Sequence, residues 1–356
     1  MKRHMKKLIV NGLTFILLLV LLGGCGSHKN SGSSSNSTYN YSGSASKGDV
    51  LTIRMNHSAN SYSVNNETTG FATSGNFSYS SNSNLSGIKT VSVGSKEYFT
   101  MELNNKVLAA NFPVTSDDSV YPTITFTVSA ALDNTDNENI AGDYTYVEIN
   151  GNDSAWGFLN LTSPSAGYKL TAYEYDDTEP QDCTDFGQQS EDCGTWTIDS
   201  DHKERLVVND TSENMTYTGF AYATVDTAVF LLDRGEGNGF VLGVKNPDNP
   251  YTSADIGGTY KFIHLSYDET GPVRGAGSFV VNSDGSGGTY YHKLEDGSVE
   301  EGTLGTFTRC QSINNMFYFQ TDDGETGYIA VSGDVIFQFF FDENGDFCSY
   351  GVGIKS

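Results

Sequence analysis

The sequence has few basic residues and few residues that favour helices. Of its 356 residues, 20 are Lys or Arg and 44 are Asp or Glu, which gives a formal net charge of -24. A surface this acidic repels phosphate backbones, so we expect no nucleic acid partner. Ser, Thr, Asn and Gly dominate where good helix formers would be needed, which argues against an all-helical protein.

The sequence also lacks the motifs that mark common catalytic sites. It has no GxSxG elbow, no HExxH, no Walker loop and no complete GxGxxG. A zinc site needs CxxC or His partners at ligand spacing, and neither occurs. The acidic run 176–182 could hold Ca²⁺ through clustered oxygens, but a solvated loop is the favoured interpretation. We therefore predict a protein that is not an enzyme and that has no cofactor and no metal.

The N-terminus carries an export signal. A basic start, Met1 to Lys7, precedes the apolar stretch 8–22. That stretch ends in Leu22-Gly23-Gly24-Cys25, which resembles the lipobox of bacterial lipoproteins. The resemblance implies a signal peptide over 1–24, lipidation of Cys25 and a lipid-anchored protein of the bacterial cell envelope. Gly26 stands where lipoproteins of the inner membrane typically carry Asp, which implies the outer membrane in a diderm host. An ordinary signal peptide with a chance cysteine is the alternative.

The mature chain divides by composition and by an internal repeat. Residues 25–48 form a Ser/Gly-rich stretch, which is typical of a flexible tether. The segment Ile140 to Val147 is echoed by Ile256 to Ile263, and four further landmarks recur in the same order. We therefore predict a repeat A over 139–250, a repeat B over 251–356, and a degenerate N-terminal β domain over 49–138. Each repeat is expected to own its core.

Each repeat consists of short strands separated by turn residues. Asp-Gly and Asn-Gly pairs such as Asp296-Gly297 and Asn344-Gly345 favour tight hairpins. Eight such strands with no room for crossover helices predict an all-β fold of tandem antiparallel up-and-down barrels, because closing a meander removes its edges. The meanders begin at a Gly-x-aromatic motif, Gly142 to Tyr144 and Gly258 to Tyr260, which resembles the lipocalin-like (calycin) barrels. That resemblance implies carriage of a small hydrophobic ligand.

Four cysteines follow Cys25 in the exported chain, and four cysteines allow three disulfide connectivities. One pair lies in each repeat. The pairing Cys183–Cys193 with Cys310–Cys348 is therefore favoured over pairings that join the repeats.

The first strand of each repeat presents an aromatic face that ends in a polar residue, because side chains alternate with period two. If these faces point inward, their polar ends could orient a ligand near the barrel mouth. Bulky neighbours favour the alternative, a filled interior. The candidate ligand-binding residues are Tyr144, Tyr146, Glu148, Tyr260, Phe262 and His264.

Three classes of function follow from these features, and an enzyme ranks last among them. The first is a non-catalytic envelope module that contacts a cell-surface polymer or another protein. The second is a lipocalin-like carrier of a small hydrophobic ligand. In both, the membrane is a partner through the N-terminal lipid anchor.

Overall fold

The structure is a computed structural model, and its described residues form three consecutive antiparallel β-sheets. The described residues are 38–45, 49–103, 105–114, 125–128, 138–150, 153–163, 169–175, 189–199, 206–211, 214–223, 228–233, 240–268, 271–310 and 313–356. The predicted signal peptide, Cys25 and Cys183 lie outside these residues. Within the described ranges, no helix has both the length and the apolar character needed to cross a membrane.

The first sheet contains nine strands. They are β1 (Thr38–Ala45), β2 (Val50–Asn56), β3 (Ser61–Asn66), β4 (Ala72–Asn76), β5 (Ser78–Tyr79), β6 (Lys89–Val93), β7 (Lys96–Leu103), β8 (Val107–Ala110) and β9 (Thr125–Val128). A short 3₁₀ helix, Ser83–Leu85, lies between β5 and β6.

The central barrel contains eight strands. They are β10 (Gly142–Asn150), β11 (Asp153–Leu161), β12 (Lys169–Tyr175), β13 (Gln189–Ile198), β14 (Leu206–Asp210), β15 (Met215–Ala223), β16 (Ala228–Asp233) and β17 (Phe240–Lys245).

The C-terminal barrel contains nine strands. They are β18 (Gly258–Asp268), β19 (Gly271–Val281), β20 (Gly288–Leu294), β21 (Val299–Leu304), β22 (Thr308–Arg309), β23 (Met316–Gln320), β24 (Thr326–Ser332), β25 (Val335–Phe341) and β26 (Phe347–Lys355).

All three sheets share one strand order, a meander whose first and last strands pair with each other. The central barrel is fully closed, whereas the first sheet is open between β4 and β5 and the C-terminal sheet between β21 and β22. In the C-terminal sheet a bridge between Leu304 and Thr321 spans this seam, with Gly305 N donating to Gln320 O at 2.7 Å. The fold is therefore all-β, with tandem antiparallel up-and-down barrels. The two sheets that are open at a seam have nine strands, whereas the closed barrel has eight.

The Asp-Gly and Asn-Gly pairs form the predicted hairpin turns in the C-terminal barrel. Gly297 and Gly345 adopt φ of 89° and 79°, a left-handed conformation that glycine adopts without a Cβ clash. Before Gly297, the Asp296 carboxylate accepts a hydrogen bond from the backbone N–H of Ser298 at 2.8 Å. Such local bonds satisfy backbone donors at the turn and fix the register of the strands on either side.

Each sheet has its own buried interior, and a fourth core joins the three. The interior of the central barrel is filled by side chains that include Tyr144, Trp196 and Phe230. Outward-facing residues from all three sheets pack into one shared cluster, for example Phe99, Leu242 and Ile263. The expectation that each repeat owns its core is therefore wrong for the outer faces of the barrels, because those faces are buried against one another.

Charged and aromatic groups reinforce the contact between the first sheet and the C-terminal barrel. The buried Arg274 side chain lies 3.4 Å (Nη1) from the Oε2 atom of Glu295 and 5.1 Å from the ring centroid of Tyr98. Lys96 Nζ lies 2.5 Å from the other carboxylate oxygen of Glu295. Residues Ser37–Ser356 accordingly form one compact unit.

Two predictions about the chain are corrected here. Part of the predicted tether over 25–48 is a strand, because β1 pairs with both β2 and β9. The predicted Cys310–Cys348 disulfide is not formed, since Cys348 carries a thiol that donates to Glu325. The predicted Cys183–Cys193 pair involves Cys183, which lies outside the described residues. Sheet order explains the failure of the Cys310–Cys348 pair. Strands β23, β24 and β25 separate Cys310, which follows β22, from Cys348 on β26, a separation of roughly 19 Å along the sheet.

Candidate ligand-binding site

A cavity of about 230 Å³ occupies one end of the C-terminal barrel. The opposite end is filled by apolar side chains such as Tyr260, Phe307 and Ile336. The cavity lies toward the hairpin turns that join β18 to β19, β20 to β21, β23 to β24 and β25 to β26. Its walls combine aromatic and aliphatic side chains with polar and acidic ones. They are Phe262, His264, Ser266, Val273, Phe279, Tyr290, His292, Leu294, Glu300, Leu304, Phe319, Thr321, Asp323, Glu325, Gln338, Phe340, Cys348 and Ser349.

Strand β18 supplies one wall of the cavity through its period-two alternation. Phe262, His264 and Ser266 face the cavity, whereas Ile263 and Leu265 face the shared core. Glycine on the next strand leaves the His264 ring room to lie flat against the sheet. A Cβ built on Gly275 would lie 2.1 Å from His264 Nε2, so only glycine accommodates this ring position.

His264 is the centre of a small polar network inside the barrel. Ser266 Oγ donates to Ser349 Oγ at 3.2 Å, so its lone pairs accept the Nδ1–H of His264 at 2.9 Å. The His264 and His292 rings stack with their centroids 5.0 Å apart and an interplanar angle of 9°. Burial, and secondly the charge of His292, hold the pKa of His264 well below its usual value of 6.5. His264 is therefore neutral at pH 7, and its buried Nε2 has no hydrogen-bond partner.

Glu325 lies at the acidic part of the wall. Partial burial, and then the charges of Asp323, Glu300 and Asp342, raise the pKa of Glu325 to about 7. The hydrogen bond that the Cys348 thiol donates to Glu325 acts in the opposite direction and lowers this pKa. The Cys348 Sγ to Glu325 Oε1 distance is 3.8 Å. Burial, and then the carboxylates of Glu325, Asp342 and Asp323, raise the pKa of Cys348 above its usual value, so this thiol is protonated at neutral pH. At neutral pH Cys348 is therefore a thiol and not the thiolate, which is the nucleophilic form of cysteine.

The predicted ligand-binding residues occupy two different environments. Phe262 and His264 line the cavity. Tyr144, Tyr146 and Tyr260 instead pack into the filled interiors, where Tyr144 and Tyr260 donate hydroxyl hydrogen bonds to the carbonyls of residues 140 and 256. Glu148 follows Tyr146 on the same face of β10 and is also buried.

The remaining polar residues of the cavity come from strands that the sequence pattern does not connect to β18. His292 lies on β20, where its Nε2 is 2.6 Å from Glu300 Oε2 on β21. Glu325 immediately precedes β24, and Cys348 lies near the start of β26. Every second side chain of a barrel strand points into the barrel and is a candidate for the cavity wall. This alternation alone could have identified His292 on β20, but it does not show which residues of other strands lie next to it. Among the described residues, no group of three or more His, Cys, Asp or Glu could hold a metal ion.

No protein-family model matches this sequence, and no curated protein matches it. The chain is similar to a solved transferrin binding protein B from Haemophilus parasuis, at 12% identity over 86% of this chain and 65% of that chain, with a TM-score of 0.28. The protein of the same name from Neisseria meningitidis gives 11% identity, the same two coverages and a TM-score of 0.29. The chain is also similar to a DUF3598-family protein of unknown function from Nostoc punctiforme. The identity is 7% over 62% of this chain and 99% of that chain, and the TM-score is 0.23.

The chain thus spans about 65% of the length of the two transferrin binding protein B structures. These likenesses concern the β fold alone.

Proposed function

We propose that this chain is a non-catalytic, lipid-anchored protein of the bacterial cell envelope that binds a small amphipathic molecule inside its C-terminal barrel. The observation that carries the proposal is the cavity of about 230 Å³, whose walls combine aromatic and aliphatic side chains with polar and acidic ones. Ligand sites in proteins typically combine mostly apolar walls with a few polar groups that orient the ligand. Small barrels of about eight strands can hold one small ligand.

The lipobox-like Leu22-Gly23-Gly24-Cys25 supports the anchor, and Gly26 supports an outer-membrane location in a diderm host. A non-catalytic role fits the protonation states in the cavity. The Cys348 thiol beside Glu325 is protonated at neutral pH, whereas the thiolate is the nucleophilic form of cysteine.

Filling the cavity tests the binding function. Val273 lines the cavity, so Val273→Phe places a ring in the space that a ligand would occupy. Val299 on β21 is 48% exposed, so Val299→Phe makes the same chemical change outside the cavity and serves as the matched control. The probe is 2-phenylethanol, a neutral amphipathic molecule of about nine non-hydrogen atoms, a size that suits a cavity equal to roughly eight water volumes.

Calorimetric titration of wild type and Val299→Phe should detect binding of the probe, and Val273→Phe should abolish it. Binding that survives in Val273→Phe would place the ligand elsewhere. A wild-type protein that binds neither this probe nor any amphipathic probe of its size would contradict the proposed function.

Contact with a cell-surface polymer or another protein is the second candidate function. The shared core and the Glu295 ion pairs favour it, because they hold the three sheets in fixed positions for presentation as one surface. Co-sedimentation of the lipid-free protein with isolated cell walls should then deplete it from solution, and a protein left wholly in the supernatant would count against a polymer partner.

A further inference from the structure

We propose that the ligand of the C-terminal barrel is a small organic cation, an amine joined to an apolar or aromatic body of about nine non-hydrogen atoms. This inference rests on the proposed binding function and names the chemistry of its ligand. Three independent features of the cavity lead to it: the sign of its charge, the kind of hydrogen-bonding atoms it presents, and its size.

The charged groups of the cavity wall are carboxylates. Glu300, Asp323 and Glu325 line the cavity, and no Lys or Arg among the described residues does. The basic residues nearest in sequence are engaged at the contact with the first sheet: Lys293 pairs with Glu97, and Arg274 pairs with Glu295. His292 lies against Glu300. Asp323 and Glu325 therefore leave net negative charge at the mouth, which favours a cation over a neutral or anionic ligand.

The unpartnered polar atoms of the wall are hydrogen-bond acceptors. His264 and Gln338 line the cavity, are 2% and 3% exposed, and each has one atom without a hydrogen-bond partner. The unpartnered atom of Gln338 is its carbonyl oxygen Oε1. The unpartnered atom of His264 is Nε2. Because the Ser266 hydroxyl donates its proton to Ser349, it accepts from Nδ1–H of His264, and this tautomer leaves the lone pair on Nε2. A ligand that supplies N–H donors satisfies such atoms, whereas a ligand of acceptors leaves them unpaired.

The size of the cavity and its apolar walls indicate the size and the apolar character of the ligand's body. Phe279, Phe319 and Phe340 line the cavity with Phe262, and their rings can pack on an aromatic or aliphatic body. A cation held close to aromatic faces gains further attraction from the negative faces of the rings. About 230 Å³ equals roughly eight water volumes, so a single ring with a short amine chain fills the space.

The pH dependence of binding follows from the groups that surround Glu325. Asp323, Glu300 and Asp342 carry like charge, and the Cys348 thiol donates to the carboxylate. An ammonium group bound beside Glu325 favours the ionised carboxylate and lowers its pKa. The pKa of Glu325 is about 7 without a ligand. Amine affinity should therefore rise between pH 6 and pH 8, and binding at pH 7 should release up to about half a proton.

Three matched probes test the ligand class. These are 2-phenylethylamine, 2-phenylethanol and phenylacetate, which share a ring and differ in the charge of the head group. Each is titrated calorimetrically at pH 8 into the full-length mature chain made soluble by Cys25→Ser. We expect the amine to bind about ten-fold or more tightly than the alcohol, and phenylacetate to bind most weakly, because hydrogen bonds between charged groups are the stronger ones.

Two substitutions test the role of the carboxylate. Glu325→Gln keeps the shape of the side chain and removes its charge, so amine affinity should fall about ten-fold while the affinity for 2-phenylethanol stays unchanged. Unchanged alcohol binding also shows that the variant is folded. Glu343→Gln, in the exposed turn after β25, is the matched control and should change neither affinity.

The outcomes separate the ligand class from the binding function. If none of the three probes binds, the proposed function fails together with this inference. If the alcohol or phenylacetate binds as tightly as the amine, the cavity is a binding site but its ligand is not a cation. If the amine binds equally well to Glu325→Gln, the recognition we assign to this carboxylate is overturned.

Discussion

Glu325 lies at the mouth of the barrel cavity, and its raised pKa makes the stability of the ligand-free protein depend on pH. The pKa of this carboxyl is about 7 in the folded chain and 4.5 when unperturbed. Between these two pH values the folded state binds more protons than the unfolded state. The free energy of unfolding therefore falls as the pH rises from about 4.5 through 7, and the lost stability is not regained at higher pH.

The size of this effect follows from the pKa difference. A difference of about 2.5 units corresponds to about 3 kcal/mol at 1.36 kcal/mol per unit. The Glu325 side chain is only partly buried, so solvent screening reduces the contribution to about 1–2 kcal/mol. Glu325→Gln removes the titration, and we expect the variant to exceed wild type in stability by this amount at pH 8 and to match it at pH 4.5.

Thermal unfolding followed by circular dichroism from pH 4.5 to pH 8.5 measures this difference. The melting temperature of Glu325→Gln relative to wild type should increase with pH, by about 2–4 °C for each kcal/mol. Glu343→Gln lies in an exposed turn on the same end of the barrel and should show no such trend. A Glu325→Gln difference that is constant across the pH range would refute the burial of this carboxyl and the reasoning built on it.

Three further predictions concern the contacts between sheets, the packing of the barrel and the anchor. Glu295→Ala should lower the free energy of unfolding by about 3–5 kcal/mol in urea denaturation, because it leaves the buried Arg274 guanidinium without its carboxylate; a loss below 1 kcal/mol would contradict this. Gly277→Ala should cost about 2 kcal/mol, since the added Cβ would lie 2.1 Å from the Tyr291 carbonyl oxygen, and a wild-type melting temperature would argue against this packing. Cys25→Ser should move the protein from the membrane fraction to the soluble fraction. A variant that still fractionates with membranes would contradict the predicted lipid anchor at Cys25.

Much of the barrel architecture could be predicted because its signals are local. The Asp-Gly and Asn-Gly turns mark the hairpins, and period-two alternation correctly identifies the face of β18 that carries Phe262 and His264. The sequence does not predict strand β1, because Tyr39 and Tyr41 alternate within a Ser/Asn-rich stretch that is typical of a tether. Its assignment depends on pairing with β2 and β9, which is tertiary information.

The site itself could be predicted only in part, since its residues meet through the closure of the sheet. Nothing local to residue 144 or residue 260 shows that aromatic side chains from other strands fill the space around them. Likewise, the proximity of His264 to His292, and of Glu325 to Cys348, depends on which strands become neighbours across the barrel. The failed pairing of Cys310 with Cys348 has the same origin, because three strands lie between them.

The most direct test of the central claim, that the C-terminal barrel binds a small ligand in its cavity, is a crystal structure of the protein grown with 2-phenylethylamine. The account predicts the probe inside the cavity, with its ring against Phe319 and Phe340 and its nitrogen about 2.7–3.2 Å from a carboxylate oxygen of Glu325. A structure in which the probe is bound outside the barrel, or in which side chains fill the cavity, would contradict it.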